Sequence, residues 1–198
     1  MINSIIEILK SGLVDKLKTH HSLYRLPCTS EYLEELIASI LAEAGYTNDW
    51  QPNRNHTASV DIKLDTGMTF SVKSGTYYID KNTLKFSGSR LGKHDNISEM
   101  VKSVIDNSAE YYICVSKVDQ DWSPTPAFSD TKKYYLFVFP ASALRYDSDW
   151  NEIHSDKGSK YTMEIDGLRA VIHSSMSHQL WTWVSTDTVG DPHKLDIM

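Results

Sequence analysis

Apolar residues recur at intervals of three and four in two N-terminal segments, which predicts two amphipathic helices. The first helix covers about residues 2–17 and the second covers residues 30–44. Thr29 or Ser30 suits the N-cap of the second helix, and Gly45 suits the left-handed position after its end. The second helix carries one apolar stripe and is therefore expected to pack on a sheet. The stripe consists of Leu33, Leu36, Ile37, Ile40, Leu41 and Ala44.

Short alternating or continuous apolar runs elsewhere in the chain predict strands. The predicted strands cover residues 59–64, 69–75, 76–79, 83–86, 111–115, 134–139, 162–165, 167–172 and 180–184. Turns at 65–67 and 80–82 join the first four strands into two hairpins, and the last three strands form a meander. The runs at 111–115 and 134–139 are nearly all apolar, as expected for central strands covered on both faces. The predicted fold is therefore an α/β domain with a central mixed sheet flanked by helices.

Composition is that of one ordinary globular domain. The chain has 198 residues, of which 40% are apolar and 23% are charged. Cys28 and Cys114 lie far apart and match no zinc spacing, so we expect two buried free thiols in a reducing, cytoplasmic setting. Neither a secretory signal nor a stretch of transmembrane length is evident, so we expect no membrane partner.

The net charge of −6 is not typical of a DNA-binding protein, but its distribution is uneven. Residues 71–102 carry six basic and three acidic side chains, which leaves −9 for the remainder. A basic stretch of this kind can follow a phosphate backbone, although an excess this small can also arise by chance.

The candidate chemistry lies in the first hairpin. Asp61 is on its first strand, and Lys73 follows twelve positions later, near the end of its second strand. A metal-dependent phosphodiesterase needs at least two groups. One is a carboxylate that holds a divalent cation, and the other is a lysine that activates water or stabilises an anionic phosphorane. For the hairpin alone, a Lys73 that merely points to solvent is the simpler interpretation.

Glutamates on two helices can supply a second carboxylate. At about 100° per residue, Glu34 falls at the edge of the apolar stripe of the second helix, whereas Glu35 falls on its wet side. Glu99 lies in a third predicted helix, residues 96–106, and points away from the stripe of that helix. Glu34 is therefore the preferred candidate and Glu99 the second choice.

The order and spacing of these residues resemble the PD-(D/E)XK nuclease superfamily, the fold of many type II restriction endonucleases. The shared frame is a helical Glu eleven residues before a helix-ending Gly, then a strand Asp, a turn, and a strand that ends in an acid-x-Lys motif. Glu34, Asp61 and Lys73 fit that frame, which covers about residues 30–75. Val60 replaces a frequent Pro, and Ser71 replaces the usual acid, so one metal ligand of the family is missing.

The resemblance implies a Mg²⁺ site, with Mn²⁺ as the expected substitute. Asp61 and Glu34 would hold the metal together with the Val72 carbonyl, because some restriction enzymes with Ser-x-Lys recruit an acid from a helix. Lys73 would orient or deprotonate the water, and Ser71 would support the site or hydrogen-bond a phosphate.

DNA reading is predicted for two later elements, at about 76–102 and 160–185. Both segments are rich in side chains that can form hydrogen bonds with base edges. Ordinary surface turns would explain this polar composition equally well. The tryptophans Trp181 and Trp183 alternate onto one face, which is more typical of packing than of base stacking. The candidate DNA-binding residues are Arg90, Lys93, His94, Ser177, His178 and Gln179.

These features together predict a single nuclease domain over residues 1–198. The favoured function is a Mg²⁺-dependent, sequence-specific endonuclease acting on double-stranded DNA, prokaryotic or phage-encoded and homodimeric, as the resemblance implies. Two alternatives stay open. One is a structure-selective nuclease, such as a junction resolvase or a phage recombination nuclease, and the other is a non-catalytic DNA-binding protein with a decayed nuclease core.

Overall fold

A computed structural model describes most of the chain. The described residues are 1–29, 31–51, 60–90, 97, 99, 101, 109–119, 132–146, 149–155, 158–173 and 179–197. Four of the candidate DNA-binding residues lie outside these ranges: Lys93, His94, Ser177 and His178.

Two helices precede a long run of strands along the described chain, which is an α/β protein with a large sheet and few helices. The helices are α1 (Ile2–Leu23), α2 (Glu31–Glu43) and a single-turn α3 (Thr186–Val189). The strands are β1 (Ile62–Lys63), β2 (Thr69–Tyr78), β3 (Thr83–Arg90), β4 (Tyr111–Val118), β5 (Lys133–Pro140), β6 (Asn151–Ser155), β7 (Gly158–Ile165), β8 (Leu168–His173), β9 (Gln179–Ser185) and β10 (His193–Asp196). Neither α1 nor α2 nor any other described helix is apolar enough over a sufficient length to cross a membrane.

All ten described strands belong to one mixed sheet. Its order is β10-β5-β4-β2-β3-β9-β8-β7-β6, and β1 pairs with β2 off this path. The β2–β4 pair is parallel, and the other pairs are antiparallel. The predicted mixed sheet, the second hairpin and the terminal meander are therefore confirmed.

The two faces of the sheet are covered by separate apolar clusters. The first joins α1 and α2 to β1, β2, β4, β5 and β10, and its centre includes Leu9, Ile37 and Phe70. The second lies on the opposite face and includes Phe86, Phe137 and Leu180. The helix α2 thus packs on the sheet beside β2, as its stripe predicts.

The end of α2 is as the sequence predicts. Gly45 has φ +90°, and the Tyr46 amide donates to the Leu41 carbonyl across it. A side chain at this φ would be strained, so glycine is the residue that closes the helix most easily. Cys28 and Cys114 are both buried free thiols, also as expected.

Two predictions about the middle of the chain are wrong. Residues 87–90 belong to β3 and not to the loop expected at 87–94, because β3 continues to Arg90 by pairing with β9; residues 91–94 lie outside the described residues. The strands expected at 69–75 and 76–79 are one continuous strand, β2. In both cases pairing with a partner far along the chain outweighs the polar or small residues that favour a break.

Gly75 is required by close packing inside the sheet. A Cβ on this residue would lie 2.8 Å from the Lys85 carbonyl oxygen and 2.7 Å from Ser116 Oγ. The backbone carbonyl cannot move without disturbing β3, so Gly75→Ala should lower the free energy of unfolding by about 1–3 kcal/mol. Urea denaturation measures this, and Ser74→Ala, the neighbouring half-buried position, should change it by less than about 0.5 kcal/mol.

Candidate active site

A fork in the sheet leaves one edge of β2 open at its centre. Next to β2, β1 pairs only with residues 69 and 70, and β3 pairs only with residues 75–78. On the other edge β4 pairs with β2 continuously from residue 70 to residue 77. Residues 71–74 of β2 lie between these two partners and therefore face a gap on the side of β1 and β3. We call this gap the fork.

The Asp61 carboxylate lies in this gap. Its Oδ2 atom accepts hydrogen bonds from the Val72 amide (2.6 Å), from Ser71 Oγ (3.1 Å) and from Lys73 Nζ (3.1 Å). Asp61 comes immediately before β1, which is shorter than the predicted strand. The carboxylate thus accepts the Val72 amide hydrogen bond that a neighbouring strand would otherwise accept.

The Val72 carbonyl faces the same gap. In an extended strand the N–H and C=O of one residue point to the same edge. Because the Val72 amide donates to Asp61, the Val72 carbonyl oxygen also points toward the β1 and β3 side. Two kinds of oxygen, a carboxylate and a backbone carbonyl, are therefore directed to one place.

Lys73 and Asp61 form a mostly buried ion pair. The side chains are 15% and 12% exposed, so water screens the pair only weakly. Lys73 lies opposite Cys114 in the parallel register. Burial raises the pKa of the Cys114 thiol, and the Lys73 ammonium acts in the opposite direction. The thiol is therefore neutral at ordinary pH, and Asp61 is the ion-pair partner of Lys73.

One oxygen of Asp61 is left for another ligand. All three hydrogen bonds end on Oδ2, and none from the described residues ends on Oδ1. A carboxylate can accept at both oxygens. Asp61 can therefore keep its contacts with β2 while Oδ1 binds a cation.

Glu34 occupies the border position that the helical wheel predicts. Its side chain is half-buried, and its Oε2 atom is inaccessible to solvent, whereas Glu35 is exposed. The neighbouring Leu33 and Ile37 belong to the cluster that contains Val72. Glu34 therefore lies on the sheet side of α2, while Glu35 faces water.

The carboxylates do not form a large metal cluster. Among the residues that the structure describes, no three or more His, Cys, Asp or Glu side chains are grouped to hold a metal ion. Glu34 and Asp61 are therefore at most a pair of acids. Glu99 is exposed on its helix, whose residues Ile97 and Val101 pack into the second cluster, and it stays the second choice.

The candidate DNA-reading residues are only partly described. The backbone of Arg90 pairs with Gln179 between β3 and β9. The Gln179 side-chain amide donates to the Gly88 carbonyl (2.7 Å), so one of its N–H groups is already used in a hydrogen bond between β9 and β3. Base reading by these two residues stays a prediction.

Sequence reasoning missed Lys85, which lies between Trp181 and Trp183 on the same face of the sheet. The alternation of residues 83–86 places Lys85 on one face, but only the pairing of β3 with β9 brings it to the tryptophans. Lys85 and its partner Trp183 are 98 residues apart in sequence, so no local signal indicates the pairing.

No protein-family model matches the chain, and no curated protein matches it either. The geometry of the fork is therefore the basis for any functional assignment.

Proposed function

We propose that the chain is a Mg²⁺-dependent DNA endonuclease with a restriction-endonuclease-like fold, and that its active site is the fork between β1 and β3. The observation that carries the proposal is the mostly buried pair of Asp61 and Lys73 at the open edge of β2. A lysine paired with a carboxylate beside a free carboxylate oxygen is a suitable arrangement for hydrolysis of a phosphodiester. The packing of α2 on the same strand supports the expected superfamily fold.

The donor set at the fork suits magnesium. Mg²⁺ prefers oxygen ligands, keeps several waters and is commonly bound through one or two carboxylates. Asp61 and the Val72 carbonyl would hold the ion, with Glu34 as the second carboxylate. A bound Mg²⁺ would neutralise charge on the phosphate and lower the pKa of a coordinated water.

Lys73 has two tasks in this proposal. Its ammonium donates to Asp61 Oδ2 in the free protein, and it has further protons to donate to a phosphate oxygen or to the attacking water. In the reaction the water oxygen would bond to phosphorus and release a proton to solvent, while the bond from phosphorus to the leaving sugar oxygen breaks and that oxygen takes a proton from solvent. Lys73 stabilises the charge that develops on the non-bridging oxygens.

Ser71 and the Val72 amide position the carboxylate. Both donate to Asp61 Oδ2, and Ser71 is fully buried, so the carboxylate orientation is held from two sides. Ser71 is then a positioning residue at the place where the superfamily usually has an acid. Sequence-specific cutting by a homodimer, in a prokaryotic or phage setting, follows from the resemblance alone.

A non-catalytic DNA-binding protein is the second candidate. Ser71 favours it, because this residue replaces the usual acid and one metal ligand of the superfamily is then missing. Such a protein would keep the Asp61–Lys73 pair as a structural ion pair.

Digestion of a long DNA of mixed sequence in the presence of Mg²⁺ tests the proposal. We expect discrete bands, which disappear when EDTA removes the metal. A smear would select a nuclease without sequence choice, and cutting confined to branched DNA would select the structure-selective alternative. Intact DNA of every form, at high enzyme and with Mn²⁺ as well, would overturn the nuclease proposal.

A further inference from the structure

Three strands present a ladder of cations and indole rings on one face of the sheet. Lys85 Nζ on β3 lies 5.1 Å from the ring centroid of Trp181 and 5.1 Å from that of Trp183, both on β9. Arg169 Cζ on β8 lies 5.2 Å from the ring centroid of Trp183. These distances are within the range of cation–π contacts. We call Arg169, Trp183, Lys85 and Trp181 the cation–indole ladder.

The ladder lies on the more accessible face of its strands. Along β9, residues 179, 181, 183 and 185 are half-buried, while the intervening residues are buried in the second cluster. The cluster beneath α1 and α2 draws its sheet residues from other strands, namely β1, β2, β4, β5 and β10. Within the described part of the chain, no helix packs over the ladder. The indoles therefore keep ring surface that water or a ligand can reach.

Cavities adjoin the ladder on both sides. A cavity of about 220 Å³ is lined by Trp181 and Lys85 together with Ser74 and Lys117. A second cavity, of about 460 Å³, is lined by Trp183 and Arg169. Ser74 directly follows Lys73 and lies at the fork. The ladder therefore runs from beside β2, the strand that carries the fork, to a second recess further along the sheet.

The charge around the ladder is positive, although the whole chain carries −6. Among the described residues, the smaller cavity is lined by two lysines and by no acidic side chain. The larger one is lined by Lys81 and Arg169 against a single acid, Glu164. A ligand that combines planar rings with regularly spaced negative charges matches this surface. Nucleic acid has that chemistry, because every base has a π-face and every link a phosphate.

We propose that the cation–indole ladder binds a segment of single-stranded DNA, with bases stacked on Trp181 and Trp183 and phosphates contacted by Lys85 and Arg169. A single strand is required because the base faces of a duplex are already stacked on one another and cannot reach an indole. The inference extends the proposed function, since a strand on the ladder would lead to the fork. The ladder would hold an unpaired strand next to the site that cuts.

Binding of a fluorescein-labelled oligothymidylate of about 16 nucleotides, followed by anisotropy in EDTA, tests this proposal. Trp183→Ala should weaken binding about 5- to 100-fold, because stacking on one indole is lost. Arg169→Ala and Lys85→Ala should also weaken binding, and each should reduce the slope of log affinity against log salt by about 0.7. Trp183→Ala should leave that slope unchanged.

Matched controls separate the ladder from general charge and from folding. Lys18→Ala on α1 and Arg145→Ala after β5 remove the same charge from exposed positions elsewhere, and both should bind like the wild type. Arg169 is exposed, so its variant should fold normally, and Trp183→Phe should restore most of the binding lost in Trp183→Ala. Thermal unfolding of each variant verifies the fold.

The outcomes are distinct for the ladder and for the nuclease proposal. EDTA prevents metal-dependent cutting, so oligonucleotide binding that depends on the ladder would stand even if no DNA is ever cleaved. Equal affinity in the ladder variants and the controls would overturn the ladder, whatever the nuclease activity.

Discussion

Asp61→Ala and Lys73→Ala are each expected to abolish DNA cleavage in Mg²⁺, with losses of at least about a thousandfold. Asp61 supplies the carboxylate for the metal, and Lys73 supplies a positive charge about 3.1 Å from it. Among the described residues Asp61 is the acid that accepts a hydrogen bond from Lys73, so either variant breaks the pair. The measurement is the rate of plasmid linearisation under single-turnover conditions.

Matched controls for these variants are available on the same hairpin. Asp65 and Lys63 are exposed there, so Asp65→Ala and Lys63→Ala remove the same charges without touching the fork. Asp61→Ala also removes the acceptor of the Val72 amide, so Asp61→Asn, which keeps an acceptor oxygen, should be made in parallel. Near-normal cutting by Asp61→Asn or Lys73→Ala, in folded protein, would refute the assignment of these two residues.

Glu34→Gln should reduce cleavage by orders of magnitude, whereas Glu35→Gln should cut like the wild type. The two variants lose the same charge from adjacent positions of one helix. Only Glu34 has a carboxylate oxygen buried on the sheet side of α2, and Glu35 is exposed. Glu34, and not Glu35, is therefore the proposed second carboxylate of the metal site.

The same comparison identifies the alternative acid. Glu99→Gln should have little effect, because Glu99 is exposed on its helix. Efficient cutting by Glu34→Gln combined with an inactive Glu99→Gln would show that the later helix supplies the carboxylate. Raising the Mg²⁺ concentration should partly restore cleavage by Glu34→Gln. This variant keeps both Asp61 and Lys73, and only its affinity for the metal is reduced.

Local patterns predict those parts of the fold that depend on neighbours in sequence. The period of α2, its end at Gly45 and the burial difference between Glu34 and Glu35 follow from one helical repeat. The closeness of Asp61 and Lys73 follows from a tight hairpin, in which twelve residues bring two strands side by side.

The remaining features of the fold depend on pairing between strands that are far apart in sequence. The parallel pairing of β2 with β4 sets Lys73 beside Cys114, and no sequence pattern specifies it. The extension of β3 to Arg90 depends on β9, and the short strands β6 and β10 have no clear apolar run. The gap between β1 and β3 is likewise a property of the whole sheet. The sequence therefore predicts that Asp61 and Lys73 lie close together, but it does not predict the open edge of β2 beside them.

The most direct test of the central claim, that the fork is a metal site and not only an ion pair, is a calorimetric titration with Mn²⁺. Lys73 Nζ on Oδ2 and a metal on Oδ1 would share the single negative charge of Asp61, so removal of this competing cation should strengthen metal binding. We predict one Mn²⁺ per chain in the wild type, tighter binding in Lys73→Ala and none at this site in Asp61→Ala. Equal and negligible Mn²⁺ binding in all three proteins would contradict the account and leave Asp61 and Lys73 as a structural ion pair.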